Sequence, residues 1–370
     1  RCGMSKATSI WSRLYNGETA IEFIARRRRW FLISGAVILL GMLSLGTRGL
    51  NFGIDFEGGT SWEVQAEGVS VSEARDALRP LGLGDAKIQV IGDDLLRVQA
   101  DTANPEESAK VTAALAELAK VPTNQVNLNE VGPSWGEEIT AKARQALIVF
   151  LIAITIYISL RFEWKMAVAT LAAMFHDILV TVGVYSLSGF EVTPATVIAG
   201  LTILGYSIYD GIVVFDKVDE NTRGLAASGR MTYGEMVNLS LNQVLMRSLN
   251  TSITALLPIL SLLIIGGLVL GATTLQDFAL ALLIGLTASA YSSIFIASPI
   301  LAMLKEREPR YASIKERVLA RGGTAPLTPA AAAATLGASG GSAAGSGEPA
   351  APKPAATRTA PRPRKKGKRR

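Results

Sequence analysis

Two charged residues lie inside long apolar stretches of this sequence. Asp210 stands between Ile208 and Ile212, and Arg247 follows the apolar segment 244–246. A charged side chain at the centre of a membrane helix costs about 2.5–3.5 kcal/mol on insertion scales, and such residues commonly pair with one another. We therefore predict an Asp210–Arg247 pair. Movement of the guanidinium would change which protonation state of the carboxyl group is favoured, so the pair is a candidate proton relay; a static ion pair that locks two helices is the alternative.

The depth of Asp210 follows from Asp216, which stands at the predicted cytosolic boundary of the same apolar run. Six residues separate the two carboxylates, which is about 9 Å along a helix at 1.5 Å per residue. The run that carries Arg247 begins on the same side, because a polar cytosolic connection, residues 216–243, joins the two runs. The guanidinium is thus expected to reach a similar depth.

Five further residues, among them Asp216, are weaker candidates for a relay or for its support. His176 and Asp177 are adjacent in the third apolar run, near its middle. Neighbouring positions on a helix point in different directions, so at most one of them is expected to line a shared path, and a packing or capping role is an equal alternative. Tyr206 and Ser207 offer hydrogen-bonding groups beside Asp210, although such groups also join membrane helices to one another.

Other chemistries lack the residues that they need. The sequence has one histidine and one cysteine, so no metal-ligand spacing and no internal disulfide can be drawn from it. It has no phosphate-binding G-x-x-x-x-G-K-[ST] pattern. We therefore predict no catalytic residues, no metal and no cofactor, and a protein that drives movement across a membrane rather than an enzyme.

The elements that must position these residues are apolar runs long enough to cross a bilayer core of roughly 30 Å. Hydrophobic residues make up 49% of the chain. We place six transmembrane helices at 30–46, 144–160, 166–187, 193–215, 244–270 and 276–304. The glycines at 200, 205 and 211 are expected at close helix contacts.

The charges of the connections predict an orientation. Arg161 and Lys165 follow the second run and Lys217 follows the fourth, whereas the loops 188–192 and 271–275 contain no Lys or Arg. The positive-inside rule then places both termini in the cytosol and the polar region after the first run outside it.

That polar region, residues 47–143, reads as strand, helix, two strands, helix and strand. This βαββαβ order is typical of a ferredoxin-like α+β fold, so one such domain is expected outside the cytosol, between the first two spans, while 144–304 forms the helical bundle. Residues 1–29 and 305–323 are predicted to be cytosolic segments. Residues 324–370 are rich in Ala, Gly, Pro and Ser, and we predict a disordered tail. Its basic end is expected to contact anionic lipid, or weakly RNA, and a solvated tail without a specific partner is an equal alternative.

Several of these segments resemble one family. The motif Gly53-x-Asp55-Phe56-x-Gly58-Gly59-Thr60 after the first span is similar to that of the SecD/SecF export proteins. The segment 203–221, with Asp210 near its middle, resembles the fourth-span signature of the SecF branch. His176-Asp177 and Arg247 also fall where that branch carries them, whereas Tyr209 departs from the small polar residue usual before the aspartate. The resemblance covers roughly residues 20–310.

The resemblance implies a subunit of the bacterial Sec accessory complex in the cytoplasmic membrane, of the resistance–nodulation–division type. Its expected partners are SecD, the SecYEG channel, preproteins and membrane lipids, and its energy source is the proton-motive force. Six spans would form half of a twelve-span unit, and Asp210 and Arg247 would be the relay pair. Two alternatives remain: a proton-coupled exporter of lipids or small hydrophobic molecules, and a non-conducting scaffold that stabilises a channel.

Overall fold

The computed structural model describes residues 20–84, 86–91, 94–100, 104–225, 231–270, 272–320 and 328–331. Except for residues 330 and 331, all of these belong to one compact unit, residues 1–329. The first part of the predicted N-terminal segment, residues 1–19, lies outside the described residues. So does the predicted tail, apart from 328–331.

Six described helices are long and apolar enough to cross a membrane, as expected for a polytopic helical membrane protein. They are α1 (Arg27–Arg48), α5 (Pro133–Arg161), α6 (Trp164–Ser188), α7 (Pro194–Leu225), α8 (Tyr233–Ser261, continued by a π-helical segment Leu262–Val269) and α9 (Thr273–Ser292, continued by a π-helical turn Ser293–Ala297 and by α10, Ser298–Glu306). Helix α5 begins at Pro133, well before the apolar run at 144. Its first turns carry Glu137, Glu138 and Lys142, which a search for apolar runs cannot detect.

The polar region between α1 and α5 contains a four-stranded antiparallel sheet. Its elements are β2 (Gly59–Gln65), α3 (Val71–Leu78), β3 (Lys87–Ile91), β4 (Leu95–Ala100), α4 (Pro105–Ala119) and β5 (Asn127–Val131). The strand order is β3-β4-β2-β5. Trp62, Leu78, Leu96 and Leu115 are almost fully buried between the sheet and the two helices, so the region has its own apolar core.

Side chains begin the two helices of this region. Ser70 and Glu73 form a reciprocal capping box at α3. At α4, Asn104 accepts a hydrogen bond from the backbone N–H of Glu106, and Pro105 occupies the first turn. These are the residue types that satisfy the free N–H groups of a helix start.

A small joint connects the sheet to the bundle. β1 (Asn51–Phe52) pairs in parallel with β6 (Glu191–Val192), which lies between α6 and α7. The single helical turn α2 (Ile54–Glu57) follows β1 and leads into β2. The segment after the first span is therefore fixed to the loop between the third and fourth spans.

The other end of the bundle is closed by α11 (Pro309–Ala320), whose Tyr311 packs in one cluster with Phe23 and Tyr233. Asn238 and Asn242 on α8 hold the backbone of residues 21–24 by hydrogen bonds.

Two glycines allow α1 and α6 to approach closely. A Cβ at Gly41 on α1 would stand 2.6 Å from the Cα of Gly183 on α6, so only glycine fits there. By contrast, a Cβ at Gly200 or Gly205 would meet nothing within 4 Å, and at Gly211 only a methyl group of Thr170 at 3.9 Å. The expectation of close contacts at those three glycines was wrong.

Candidate functional site

The carboxylate of Asp210 lies near the middle of α7 and is only 4% exposed. The Oγ of Ser248 on α8 donates to its Oδ1 at 3.4 Å, and the Oγ of Ser293 donates to its Oδ2. Hydroxyl groups from two other spans thus hold a carboxylate that lipid alone could not solvate. A hydroxyl can donate to a charged carboxylate or accept from a protonated one, so the site suits either protonation state.

Ser293 reaches Asp210 from the π-helical turn Ser293–Ala297. Single π-turns inside α-helices occur often at functional sites. The Oγ of Ser298, directly after the turn, donates to the carbonyl of Ser293 at 3.0 Å. The π-turn thus carries the hydroxyl group of the sixth span that contacts Asp210.

Asp177 on α6 is a second carboxylate of the same cluster and is fully buried. It accepts a hydrogen bond from the Oγ of Ser207 on α7 at 2.7 Å, and its Oδ1 lies 3.1 Å from the Nδ1 of His176. The His176 ring stacks on Tyr291, and its Nε2 has no hydrogen-bond partner among the described residues. The adjacent pair, expected to diverge, is instead buried together and in contact.

Arg247 does not approach Asp210. Its side chain is exposed on the surface of α8, and it forms no ion pair with any described residue. The next residue, Ser248, faces Asp210 instead, and successive residues of a helix point about 100° apart. Because Ser248 contacts Asp210, Arg247 lies at about the predicted depth along α8. The predicted Asp210–Arg247 pair, however, is not formed.

The remaining residues predicted around Asp210 take different positions. Tyr206 is half-buried on α7. Asp216 is exposed at the far end of the same helix, where its carboxylate lies 3.4 Å from the guanidinium of Arg161. It is six residues away along α7 from Asp210 and shares no contact with it.

The glycine-rich motif after the first span forms the joint described above. The N–H of Gly53 donates to the carbonyl of Val192 at 3.0 Å, and a Cβ on Gly53 would meet the carboxylate of Glu191 at 2.5 Å. Gly58 and Gly59 have φ values of 82° and 119°, which L side chains rarely adopt. They form the predicted sharp turn into β2.

The other members of the motif lie around this turn. Phe56 contacts the ring of Phe52, and its carbonyl would lie 2.7 Å from a Cβ at Gly136 on α5. Thr60 is buried in β2. Asp55 is half-buried at the joint; burial and the carboxylate of Glu191 raise its pKa above the ordinary value, while Arg97 opposes this shift. The composition of this segment is typical of a linker, but in the structure the segment packs between the sheet and the bundle.

A buried ionic cluster centred on Arg97 at the joint was missed by the sequence analysis. The Nε of Arg97 donates to Glu63 at 2.8 Å and its Nη1 donates to Glu191, also at 2.8 Å. Gln99 donates to the other oxygen of Glu191 at 2.6 Å. Burial alone would lower the pKa of Arg97, but Glu191 and Glu63 raise it above its ordinary value.

This cluster ties the sheet to two membrane helices. Glu191 lies directly before α7, and Asp277 in the first turns of α9 lines the same 350 Å³ cavity as Asp55, Arg97 and Glu191. α7 carries Asp210, and the helix that continues α9 carries Ser293. The Lys and Arg content of the loops 188–192 and 271–275 gives no sign of this cluster. The one available signal for it is the acidic residue Glu191 in the short loop 188–192.

The fold and these two clusters define a polytopic membrane protein with ionisable groups held inside its spans and a folded domain joined to one end. Comparison with known proteins narrows this class. The family described as "Protein export membrane protein SecD/SecF, C-terminal" matches residues 110–307, and the "SecD/SecF GG Motif" matches residues 43–68. The chain belongs to the SecD/SecF family of protein-export membrane proteins.

Individual relatives agree with this assignment. The chain is 44% identical over 319 residues to the protein translocase subunit SecF of Streptomyces coelicolor, covering 86% of both chains. It is 42% identical to that of Mycobacterium tuberculosis, over 85% of this chain and 73% of the relative. Its fold matches the crystal structure of SecDF, described as a translocon-associated membrane protein, from Thermus thermophilus, with a TM-score of 0.71 and 35% identity. That match covers 79% of this chain and 39% of the SecDF chain.

Proposed function

We propose that this chain is a SecF-like subunit of the Sec protein-export machinery, which works with SecD and uses the proton-motive force to promote preprotein translocation through SecYEG. The names of its relatives support the role in translocation, and the SecDF protein that resembles it supports SecD as a partner. The observation that carries the proton-driven part is Asp210, a carboxylate buried inside a span and held by serine hydroxyls of two other spans.

The energetics of this proposal are adequate. One proton crossing a potential of about 100 mV releases roughly 2.3 kcal/mol, which biases a two-state equilibrium about fifty-fold. A protonated Asp210 carries no charge and is held less strongly by the hydroxyl groups of Ser248 and Ser293. Protonation would thus let α7 shift relative to α8 and α9. Because α7 begins next to Glu191 and α9 begins next to Asp277 at the joint, such a shift would reach the sheet through the Arg97 cluster.

We further assign the sheet region to the ferredoxin-like class and to the outer side of the membrane, with both termini in the cytosol of a bacterial cell. The βαββαβ order and the antiparallel pairing of every neighbouring strand support the fold class. The distribution of Lys and Arg supports the orientation. An emerging preprotein would then meet the sheet region after it leaves the channel.

The exposed position of Arg247 supports SecD as the partner that completes the membrane unit. Arg247, Asn250 and Thr254 lie on one stripe of α8, and Thr202 and Tyr209 lie on a stripe of α7. Tyr206 lies between the two stripes, close to Thr251 and Ser252. Polar groups at this depth must contact protein or water rather than acyl chains, so we place the transmembrane helices of SecD on this surface, the Arg247 face.

Site-specific crosslinking tests this partner surface. In a Cys2→Ser background, Asn250→Cys is expected to crosslink to SecD, whereas Ile152→Cys, which is exposed on α5, is not. Equal crosslinking at both positions, or none at Asn250, would remove the assignment.

The proton-driven role is tested by Asp210→Asn in membrane vesicles, with the amounts of this chain and of SecD held equal. Asp216→Asn is the matched control, because it makes the same change on the same helix at an exposed ion pair. We expect Asp210→Asn to abolish the part of preprotein translocation that depends on the proton gradient and Asp216→Asn to retain it. Retention of gradient dependence in Asp210→Asn would favour the scaffold alternative.

A further inference from the structure

Helix α5 packs on the rest of the bundle near its start and along its second half, but not between these two parts. Near its start, Gly136 packs against the carbonyl of Phe56. In its second half, Phe150, Leu151 and Ile154 pack in one cluster with the fully buried Ile158. Residues 137–149 are all at least partly exposed, and this stretch of α5 leaves space beside the bundle.

The space behind α5 consists of two neighbouring cavities of about 360 and 370 Å³. Both are lined by Leu147, Val192 and Val197, so they are continuous along the helix. The outer cavity reaches Arg144, and the inner one passes Gly200 and ends at Asp177. We call the two together the α5 groove. Each part has the size of a ligand pocket, roughly 300–1,000 Å³.

The groove lies at the level of the hydrocarbon layer. Arg144 and Arg161 are 17 residues apart on α5, about 26 Å at 1.5 Å per residue, which is close to the roughly 30 Å of a bilayer core. The two arginines thus mark opposite headgroup layers; the inner cavity lies between them, and the outer cavity extends past Arg144 to the joint. Apolar walls do not retain water, and a helix about 10 Å wide does not fit a cavity of this size.

The outer opening of the groove, its mouth, carries a charge that decides which kind of hydrocarbon ligand fits. Arg144 is exposed and makes no ion pair with any residue in the described part of the chain. The one carboxylate lining the mouth, that of Glu57, is already paired with Lys87 at 2.7 Å. The mouth therefore presents an uncompensated guanidinium, which binds phosphate strongly because it can donate two parallel hydrogen bonds.

We propose that the α5 groove binds one phospholipid from the membrane leaflet on the side of Arg144. Its phosphate contacts Arg144, and one acyl chain lies between α5, α6 and α7 with its end near Asp177. The proposal rests on the groove and on Arg144, not on the role of Asp210.

Photolabelling of the full chain with its SecD counterpart tests this site. The complex is placed in nanodiscs of phosphatidylethanolamine and phosphatidylglycerol that contain a phosphatidylglycerol with a photoreactive acyl chain, and labelled residues are mapped by mass spectrometry. We expect label at Leu151 and Ile178 in the groove to exceed that at Ile148 and Ile152, which face outward on α5. This map requires no variant.

Two variants test the two ends of the lipid. Arg144→Gln removes the phosphate contact and is expected to lower groove labelling about ten-fold, the effect of losing one hydrogen bond to a charged group. Gly200→Leu fills the inner cavity, where a Cβ meets nothing within 4 Å, and is expected to abolish labelling of Ile178. Gly35→Leu, an equally unobstructed and exposed site on α1, is the control and should change neither.

Three results would overturn the proposal. The first is a wild-type map in which Leu151 and Ile178 are labelled no more than Ile148 and Ile152. The second is groove labelling that survives Arg144→Gln, which would leave hydrocarbon without a phosphate contact. The third is a Leu151→Cys variant that crosslinks to SecD, which would place a protein segment in the groove.

Discussion

Replacing Glu191 by Gln is expected to loosen the contact between the sheet and the bundle. The carboxylate of Glu191 is 5% exposed and accepts hydrogen bonds from Arg97 and Gln99. Removing one partner of a buried ion pair costs about 3–5 kcal/mol. Because Arg97 keeps Glu63 at 2.8 Å, we expect the lower end, about 3 kcal/mol, which is an increase of roughly a hundred-fold in the population with an open joint.

Amide hydrogen exchange of the full-length chain measures this opening. The N–H of Gly53, which donates to Val192 across the joint, should exchange much faster in Glu191→Gln, while the core of the sheet keeps its protection. Glu57→Gln makes the same change in the same joint, but its ion pair with Lys87 is about half exposed and such pairs contribute about 0–1 kcal/mol. Equal exchange of Gly53 in the two variants would refute the claim that the Arg97 cluster holds the joint.

Four further outcomes are expected. Because the pKa of Asp55 is raised above its ordinary value of 3.8, the joint should lose stability as the pH rises from 3.8 through the raised value, and hydrogen exchange of Asp55→Asn should lack this dependence. Ser293→Ala should destabilise the ionised form of Asp210 by about 1.5–3 kcal/mol and change the pH profile of gradient-driven translocation, whereas Ser292→Ala, a buried neighbour that donates to Ser289 instead, should leave that profile unchanged. Gly41→Leu should lower the thermal unfolding temperature in detergent because its side chain meets the backbone of Gly183, and Gly35→Leu, with open space around it, should not. Arg247→Gln should weaken co-purification with SecD more than Arg144→Gln does.

Much of the architecture follows from the sequence because its causes are local. Runs of apolar residues predict the spans, and six helices occupy them. The direction of the spans, drawn from the alternation of Lys and Arg in the connections, stays a prediction. Asn104 and Pro105 begin α4 as their types require. The start of α5 at Pro133 was missed, because its first turns are polar and resemble the domain before it.

Asp210 could be singled out from the sequence, but the residues that contact it could not. The chemical cost of burial singles out Asp210 whatever its neighbours are. Which residue of α8 faces it depends on the rotation of that helix, and a turn of about 100° separates Ser248 from Arg247. Ser293 was not recognised, because serines are common in membrane helices and only the π-turn brings this one to the carboxylate.

The Arg97 cluster shows a second limit. Its members come from β2, β4 and the loop before α7, and Arg97 and Glu191 are 94 residues apart in the chain. No local pattern relates them. Their contact depends on the β1–β6 pairing. Strands of two residues are too short to show a recognisable sequence pattern.

The central claim, that Asp210 takes up and releases a proton inside the membrane, is tested most directly by carbodiimide labelling, since carbodiimides react with protonated carboxyl groups in apolar surroundings. Labelled residues of the complex with SecD would be identified by mass spectrometry over a range of pH, with and without a proton gradient. We predict that Asp210 is labelled, that its labelling falls as the pH rises and changes with the gradient, and that Asp216 is unlabelled under the same conditions. Labelling of Asp210 that is absent at every pH, or that does not respond to pH or to the gradient, would contradict the account.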